Sequence, residues 1–216
     1  MLNKALSTLA HYLAPPYCIQ CKEFLENREP LCSQCYAQIN PIVSTELSIT
    51  PTQSIRVYAL SDYENPLKKL ILAKNYGNRV AAKYLATLMI KTLPFQMIEC
   101  DYLIPIPLHW TRLLRRGFNQ TEIMAQTIST FIKKPVLNGL CRSKRTKFQS
   151  TLTAEERAGN VHDAFTLMPN LPEIAGKNLI LIDDLMTTGA TLRSTTKLFL
   201  KCKPKSITAI VACRKL

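Results

Sequence analysis

Two adjacent carboxylates, Asp183 and Asp184, close an apolar run, Leu179-Ile180-Leu181-Ile182, and are followed two residues later by Thr187-Thr188-Gly189-Ala190-Thr191. The apolar run predicts a buried parallel strand, and the small residues after it predict a loop that turns into a helix near Thr191. A loop of small residues presents backbone N–H groups, and the helix start adds its positive dipole end, so the loop suits a phosphate dianion. Carboxylates beside a phosphate repel it unless they meet hydroxyls or a divalent cation. Asp183 and Asp184 therefore suit the 2- and 3-hydroxyls of a ribose whose 5-phosphate sits on Thr187, Thr188, Gly189, Ala190 and Thr191. The plainer alternative is a tight strand-to-helix turn with a solvated acidic pair.

A second set of chemically competent residues is Cys18-x-x-Cys21 and Cys32-x-x-Cys35. Two such knuckles present four thiolates to one tetrahedral Zn²⁺. No βαβ pattern surrounds either pair, which argues against a thioredoxin-like redox site. The segment between the pairs is too short for a core of its own, so metal binding would supply its folding energy. Cys100, Cys141, Cys202 and Cys213 lack paired spacing and read as small buried hydrophobes or bystanders.

A third set gathers cations. Tyr102-Leu103-Ile104-Pro105-Ile106-Pro107 reads as a strand ending in a proline-fixed turn, followed by His109, Arg112, Arg115 and Arg116. Cations at the carboxyl end of a strand, close to a helix start, predict a second anion site opposite the first. Asn119 is the expected N-cap of the following helix, with Ile123, Met124, Thr127, Ile128 and Phe131 as its buried stripe.

Other elements must position these groups. Residues 55–61 alternate as a strand; Leu67, Leu70, Ile71 and Lys74 mark one amphipathic helix, and Val80, Tyr84, Leu85, Leu88 and Met89 another. Leu192, Thr196, Phe199 and Leu200 mark the helix after the phosphate loop, and residues 206–213 a last strand. Residues 1–14 are expected to form a helix and not an export signal. The expected organisation is residues 1–40 as an N-terminal helix with the four-cysteine zinc module, 41–53 as an irregular Ser/Thr-rich linker, and 54–216 as an α/β domain.

The 216 residues, 47% apolar and 20% charged, suit a globular protein and exclude wholesale disorder. No run approaches a membrane span, and the expected location is cytoplasmic. The net charge of +13, from 28 Lys and Arg against 15 Asp and Glu, points to phosphorylated ligands or a polyanionic partner.

The segment from Leu179 to Thr191 resembles the 5-phosphoribosyl-1-diphosphate (PRPP) motif of type I phosphoribosyltransferases at every position. The resemblance widens with Pro105-Ile106-Pro107-Leu108, His109, Arg112, Arg116-Gly117-Phe118-Asn119-Gln120, Arg145-Thr146-x-x-Gln149, Arg157 and Asn160. Together with the four cysteines these are similar, in order and over essentially the whole chain, to the ComF competence family. The resemblance implies a type I phosphoribosyltransferase-like parallel sheet flanked by helices, with Mg²⁺ accompanying PRPP. It further implies a mobile basic loop over residues 138–160 that closes on the diphosphate, and a protein that handles incoming single-stranded DNA in natural transformation. The diphosphate would meet His109, Arg112, Arg116, Arg145 and Arg157; single-stranded DNA would meet Arg142, Lys144, Arg145 and Lys147. Other competence proteins are implied as partners. Two alternatives stand beside this reading: an active phosphoribosyltransferase of unknown acceptor, and a non-catalytic interaction scaffold. Purine-salvage relatives carry a carboxylate where this chain has Thr187, so no base pocket is legible.

Overall fold

The computed structural model describes residues 17–26, 29–40, 42–75, 79–142 and 164–215. Strand β6 of the sequence-ordered sheet, Asn178–Met186, is the element on which the others register. It pairs in parallel with β3 (Tyr102–Pro105) on one side and β7 (Ser206–Arg214) on the other. Leu179 and Leu181 of β6 face one apolar cluster, and Ile180 and Ile182 face a second. A strand buried on both faces has no polar alternation, hence the unbroken apolar run in its sequence.

Beyond β7 the sheet continues with β2 (Gln53–Asp62), parallel to β7, and β1 (Ile42–Thr50), antiparallel to β2, in the order β1-β2-β7-β6-β3. On one face lie α2 (Leu67–Asn75), α3 (Arg79–Thr92) and α5 (Gln120–Ile132), which bury Leu70, Leu85, Leu88 and Met124. On the other lie α6 (Ala190–Leu200), anchored by Leu192 and Phe199, and a short antiparallel pair, β4 (Leu140–Arg142) with β5 (Phe165–Leu167). The fold is the expected α/β sheet with helices on both faces.

Three expectations change. Residues 42–50, expected to be irregular, form strand β1, whose Leu47 and Ile49 alternate inward onto the α6 side. The Ser/Thr-rich stretch between Val43 and Leu47 breaks the apolar alternation that would signal a strand, and pairing with β2 supplies the rest of the stabilisation. The cationic turn after β3 contains a helix, α4 (Trp110–Arg116). The His109 side chain accepts from Thr111 N–H at its start, and Gly117 ends it at φ 76°, where the N–H donates to the Leu113 carbonyl. In α5 the buried stripe is Gln120, Thr121, Met124, Ala125 and Ile128, while Phe131 is 52% exposed.

The cysteine module, including α1 (Ser33–Ala37), packs on the α2–α3 face. Its Leu25, Leu31 and Ile39 join one apolar cluster with Leu67, Leu70 and Leu88. Tyr36 Oη lies 2.9 Å from Thr92 Oγ1, and Lys69 Nζ donates to the Gln20 carbonyl at 3.3 Å.

Candidate functional site

Strands β3 and β6 are adjacent and parallel, yet the chain leaves β3 for a helix on one face of the sheet and leaves β6 for a helix on the other. That divergence opens a crevice beyond their carboxyl ends, the place where α/β sheets bind ligands. A cleft of about 270 Å³ occupies it. Its walls are Ile106, Pro107, Leu108, Leu185 and Tyr63, and its polar groups are Asp183, Asp184, Arg112, Arg116, Arg142, Gln120 and Thr191.

The acids do not stand beyond the strand as expected. β6 runs through them to Met186, with Asp183 opposite Val211 of β7. Successive strand side chains point to opposite faces, so the two carboxylates serve opposite walls of the cleft. Asp184 turns toward α5, where Gln120 Nε2 donates to its Oδ2 at 2.8 Å. Asp183 lies on the β4 side, where its charge acts on Arg142, and its Oδ1 accepts from Asp184 N–H at 2.8 Å.

Arg112 and Arg116 are four residues apart on α4 and so share one helix face. Arg116 Nη1 donates to Gln120 Oε1 at 3.2 Å, while its Nε is buried without a hydrogen-bond partner. Burial, ahead of Arg112 and Arg115, lowers the Arg116 pKa against the opposing pull of Asp184. Arg142, expected on a loop that meets DNA, is instead half-buried in β4 with its guanidinium 5.0 Å over the Phe165 ring. Burial, then Arg112, lowers its pKa as well, with Asp183 opposing. After burial, Arg112 thus acts against the charge of both Arg116 and Arg142, while Asp184 and Asp183 act in the opposite sense. An added anion would relieve that repulsion.

The loop is placed by tertiary contacts. Gly189, at φ 75°, is the N-cap of α6; a Cβ there would come within 2.6 Å of Leu47 Cδ1 of β1. Arg193 braces the loop, its Nε donating to the Ser48 carbonyl at 2.9 Å and its Nη1 to the Thr188 carbonyl. Thr191 lines the cleft, whereas Thr187 and Thr188 are exposed at its rim, Gly189 is buried and Ala190 half-buried. His109 is buried as the cap of α4, with Nδ1 2.8 Å from Thr111 Oγ1, and is not among the cleft-lining residues. Lys144, Arg145, Lys147 and Arg157 lie outside the described residues, as do residues 1–14.

Sequence reasoning singled out neither Tyr63 nor Gln120 as site residues. The Tyr63 hydroxyl is raised by burial, then by Cys213 and Asp184. Gln120 had a signal, its place in Arg116-Gly117-Phe118-Asn119-Gln120, but only the fold brings its amide between Arg116 and Asp184.

At the other site, the sulfur atoms of Cys18, Cys21, Cys32 and Cys35 all lie within 4.8 Å of one another. The Cys21–Cys32 separation of 3.6 Å is too long for a disulfide and close to the ~3.8 Å that tetrahedral zinc–thiolate bonds of ~2.3 Å require. Burial, then the neighbouring sulfurs, pushes Cys35 up to about 12. Cys18 falls to about 6: burial opposes this, but backbone groups of Cys21, Cys32 and Gln20 outweigh it. Four such sulfurs ionise together only around a cation, so the donor set fits a metal ion. Among the described residues no helix is long and apolar enough to cross a membrane.

Residues 113–216 match the family model described as a phosphoribosyl transferase domain. Over 194 residues the chain is 31% identical to competence protein F of Haemophilus influenzae, covering 86% of this chain and 79% of that one. It is 27% identical over 211 residues to the DNA utilization protein YhgH of Escherichia coli, covering 92% and 90% of the two chains. To competence protein ComFC of Bacillus subtilis it is 36% identical over 115 residues, covering 52% and 44%.

Proposed function

Because the chain belongs to the competence protein F family, we propose that its cleft binds PRPP with Mg²⁺ and that it serves the handling of incoming single-stranded DNA during natural transformation. The observation that carries the PRPP reading is the convergence of Arg112, Arg116 and Arg142 with Asp183 and Asp184 in one crevice beside the start of α6. The ligand is a polyanion at both ends with a diol between, and it calls for those groups in that order. The guanidiniums would neutralise the diphosphate, Asp183 and Asp184 would take the ribose hydroxyls or their Mg²⁺, and Thr187 to Thr191 would hold the 5-phosphate. Arg145 and Arg157, from outside the described residues, would complete the diphosphate side, and Lys144 and Lys147 would add cations for DNA. The DNA role rests on the relatives' names and on the net charge of +13. Zn²⁺ on the four cysteines is structural in this reading, since three of the four are buried and no fifth ligand is needed.

Calorimetry with PRPP, with and without Mg²⁺, tests the cleft. The parent should bind in a Mg²⁺-dependent way, and the Asp183→Asn/Asp184→Asn protein should melt like the parent and lose that binding. Equal affinity in the two proteins would remove PRPP from this site. Pyrophosphate release from PRPP, measured with and without single-stranded DNA, separates an active phosphoribosyltransferase from a protein that only binds the ligand.

A further inference from the structure

Helix α4 buries none of its residues, although three of its seven are large and apolar. Trp110 is 58% exposed and Leu114 75%, and Leu113 is exposed beside them. The same helix carries Arg112, Arg115 and Arg116. Leu113 opens onto a surface groove shared with Arg79 and Lys83 of α3, in which Glu122 is the one carboxylate. The indole has the His109 ring as a neighbour at 5.6 Å, tilted by 38°.

Aromatic and aliphatic side chains interleaved with guanidiniums on an open ridge fit a single strand: bases stack on the rings while the cations follow the phosphates. A seven-residue helix is only ~10 Å long, which is short for a stable protein interface. We infer that single-stranded nucleic acid lies across α4, with a base stacked on Trp110 and the backbone running past Leu113 along Arg79 and Lys83. This rests on the DNA-handling reading above and gives it a surface distinct from Arg142, which the fold turns into the cleft. Arg112 and Arg116 link the two places, since they project from the same helix into the cleft.

Trp110 is the single tryptophan of the chain, so indole emission reports on this ridge alone. The zinc-loaded 216-residue chain is titrated at low salt with labelled oligothymidylate, following label anisotropy and indole emission together. Saturable quenching is expected, with about tenfold weaker binding in Trp110→Ala and substantial recovery in Trp110→Phe. Lys83→Gln should lower the salt slope by about 0.7, and Glu122→Gln should tighten binding. Binding by anisotropy with unchanged emission and unchanged affinity in Trp110→Ala overturns the placement and leaves DNA handling intact. Failure of the parent to bind removes the DNA reading and the ridge with it. A blue shift on phosphatidylglycerol vesicles with no response to oligothymidylate would assign the ridge to a lipid surface instead.

Discussion

In the cysteine cluster Cys18, Cys32 and Cys35 are buried and the four sulfurs lie within 4.8 Å of one another; in the cleft Asp183, Asp184, Arg112 and Arg116 all remain partly open to water. Both places crowd groups whose charges repel. In the cluster, a bound cation would relieve that repulsion, and the surrounding Leu25, Leu31 and Ile39 would tie it to folding. In the cleft, Gln120 links Arg116 to Asp184 and the charged side chains keep some access to water, so a polyanion could come and go. Enclosure thus suits the first site to an ion that would stay bound and the second to a ligand that would exchange.

The largest effect should follow from breaking the enclosed site. Cys18→Ser, or chelation of the parent, should release close to one zinc per chain and unfold the module, a loss on the order of 10 kcal/mol of metal-linked folding energy. Metal analysis beside thermal melting checks it; full zinc content with an unchanged melt would end the metal assignment. Because the module covers Leu67, Leu70 and Leu88, hydrogen exchange should rise in α2 and α3 as well.

The open site should respond more mildly. Gln120→Leu removes one hydrogen bond each from Asp184 and Arg116, and because both groups keep access to water the cost should be about 1 kcal/mol by denaturant melt. Gln120→Glu keeps the partner for Arg116 but sets a second negative charge beside Asp184, so any Mg²⁺-dependent PRPP binding should shift its pH dependence relative to the parent. An unshifted profile would mean that Gln120 only fills space.

Gly189→Ala tests whether the Thr187–Thr191 loop depends on β1. The left-handed conformation alone costs an alanine about 1–2 kcal/mol, and contact with Leu47 adds to it. Combining it with Leu47→Ala should relieve the contact and leave the backbone term. Equal stability of Gly189→Ala and the parent would show that the loop refolds locally.

The smallest effect lies at the opposite end of the sheet, where Asp101 accepts from Asn178 N–H at 2.8 Å and Asn178 Nδ2 at 3.2 Å. The backbone bond, with Lys177 and Lys134 assisting and burial opposing, holds the Asp101 carboxyl below its ordinary value. Its contribution is therefore complete above the unfolded value of about 3.9 and fades as the pH falls through the folded one. Melting midpoints from pH 7 to 3 should fall slightly more steeply in the parent than in Asp101→Asn; parallel curves would deny the linkage.

The sequence by itself determined the local motifs. Cys18-x-x-Cys21 and Cys32-x-x-Cys35 fix ligand spacing within single turns, and the run from Leu179 through Thr191 fixes strand, loop and helix start, because each depends on neighbours a few residues away. Tertiary structure decided the rest. That Asp183 and Asp184 serve opposite walls follows from β6 continuing to Met186 against β7, a pairing written in residues some thirty positions distant. That His109 caps a helix, that Arg142 enters the cleft, and that Gln120 joins Arg116 to Asp184 are likewise set by how α4, α5 and β4 pack. Residues 42–50 looked irregular because an edge strand with broken apolar alternation draws its stability from the partner strand beside it. Spacing along the chain encodes a motif; the direction in which its side chains point is settled by pairing and packing with segments far away in sequence.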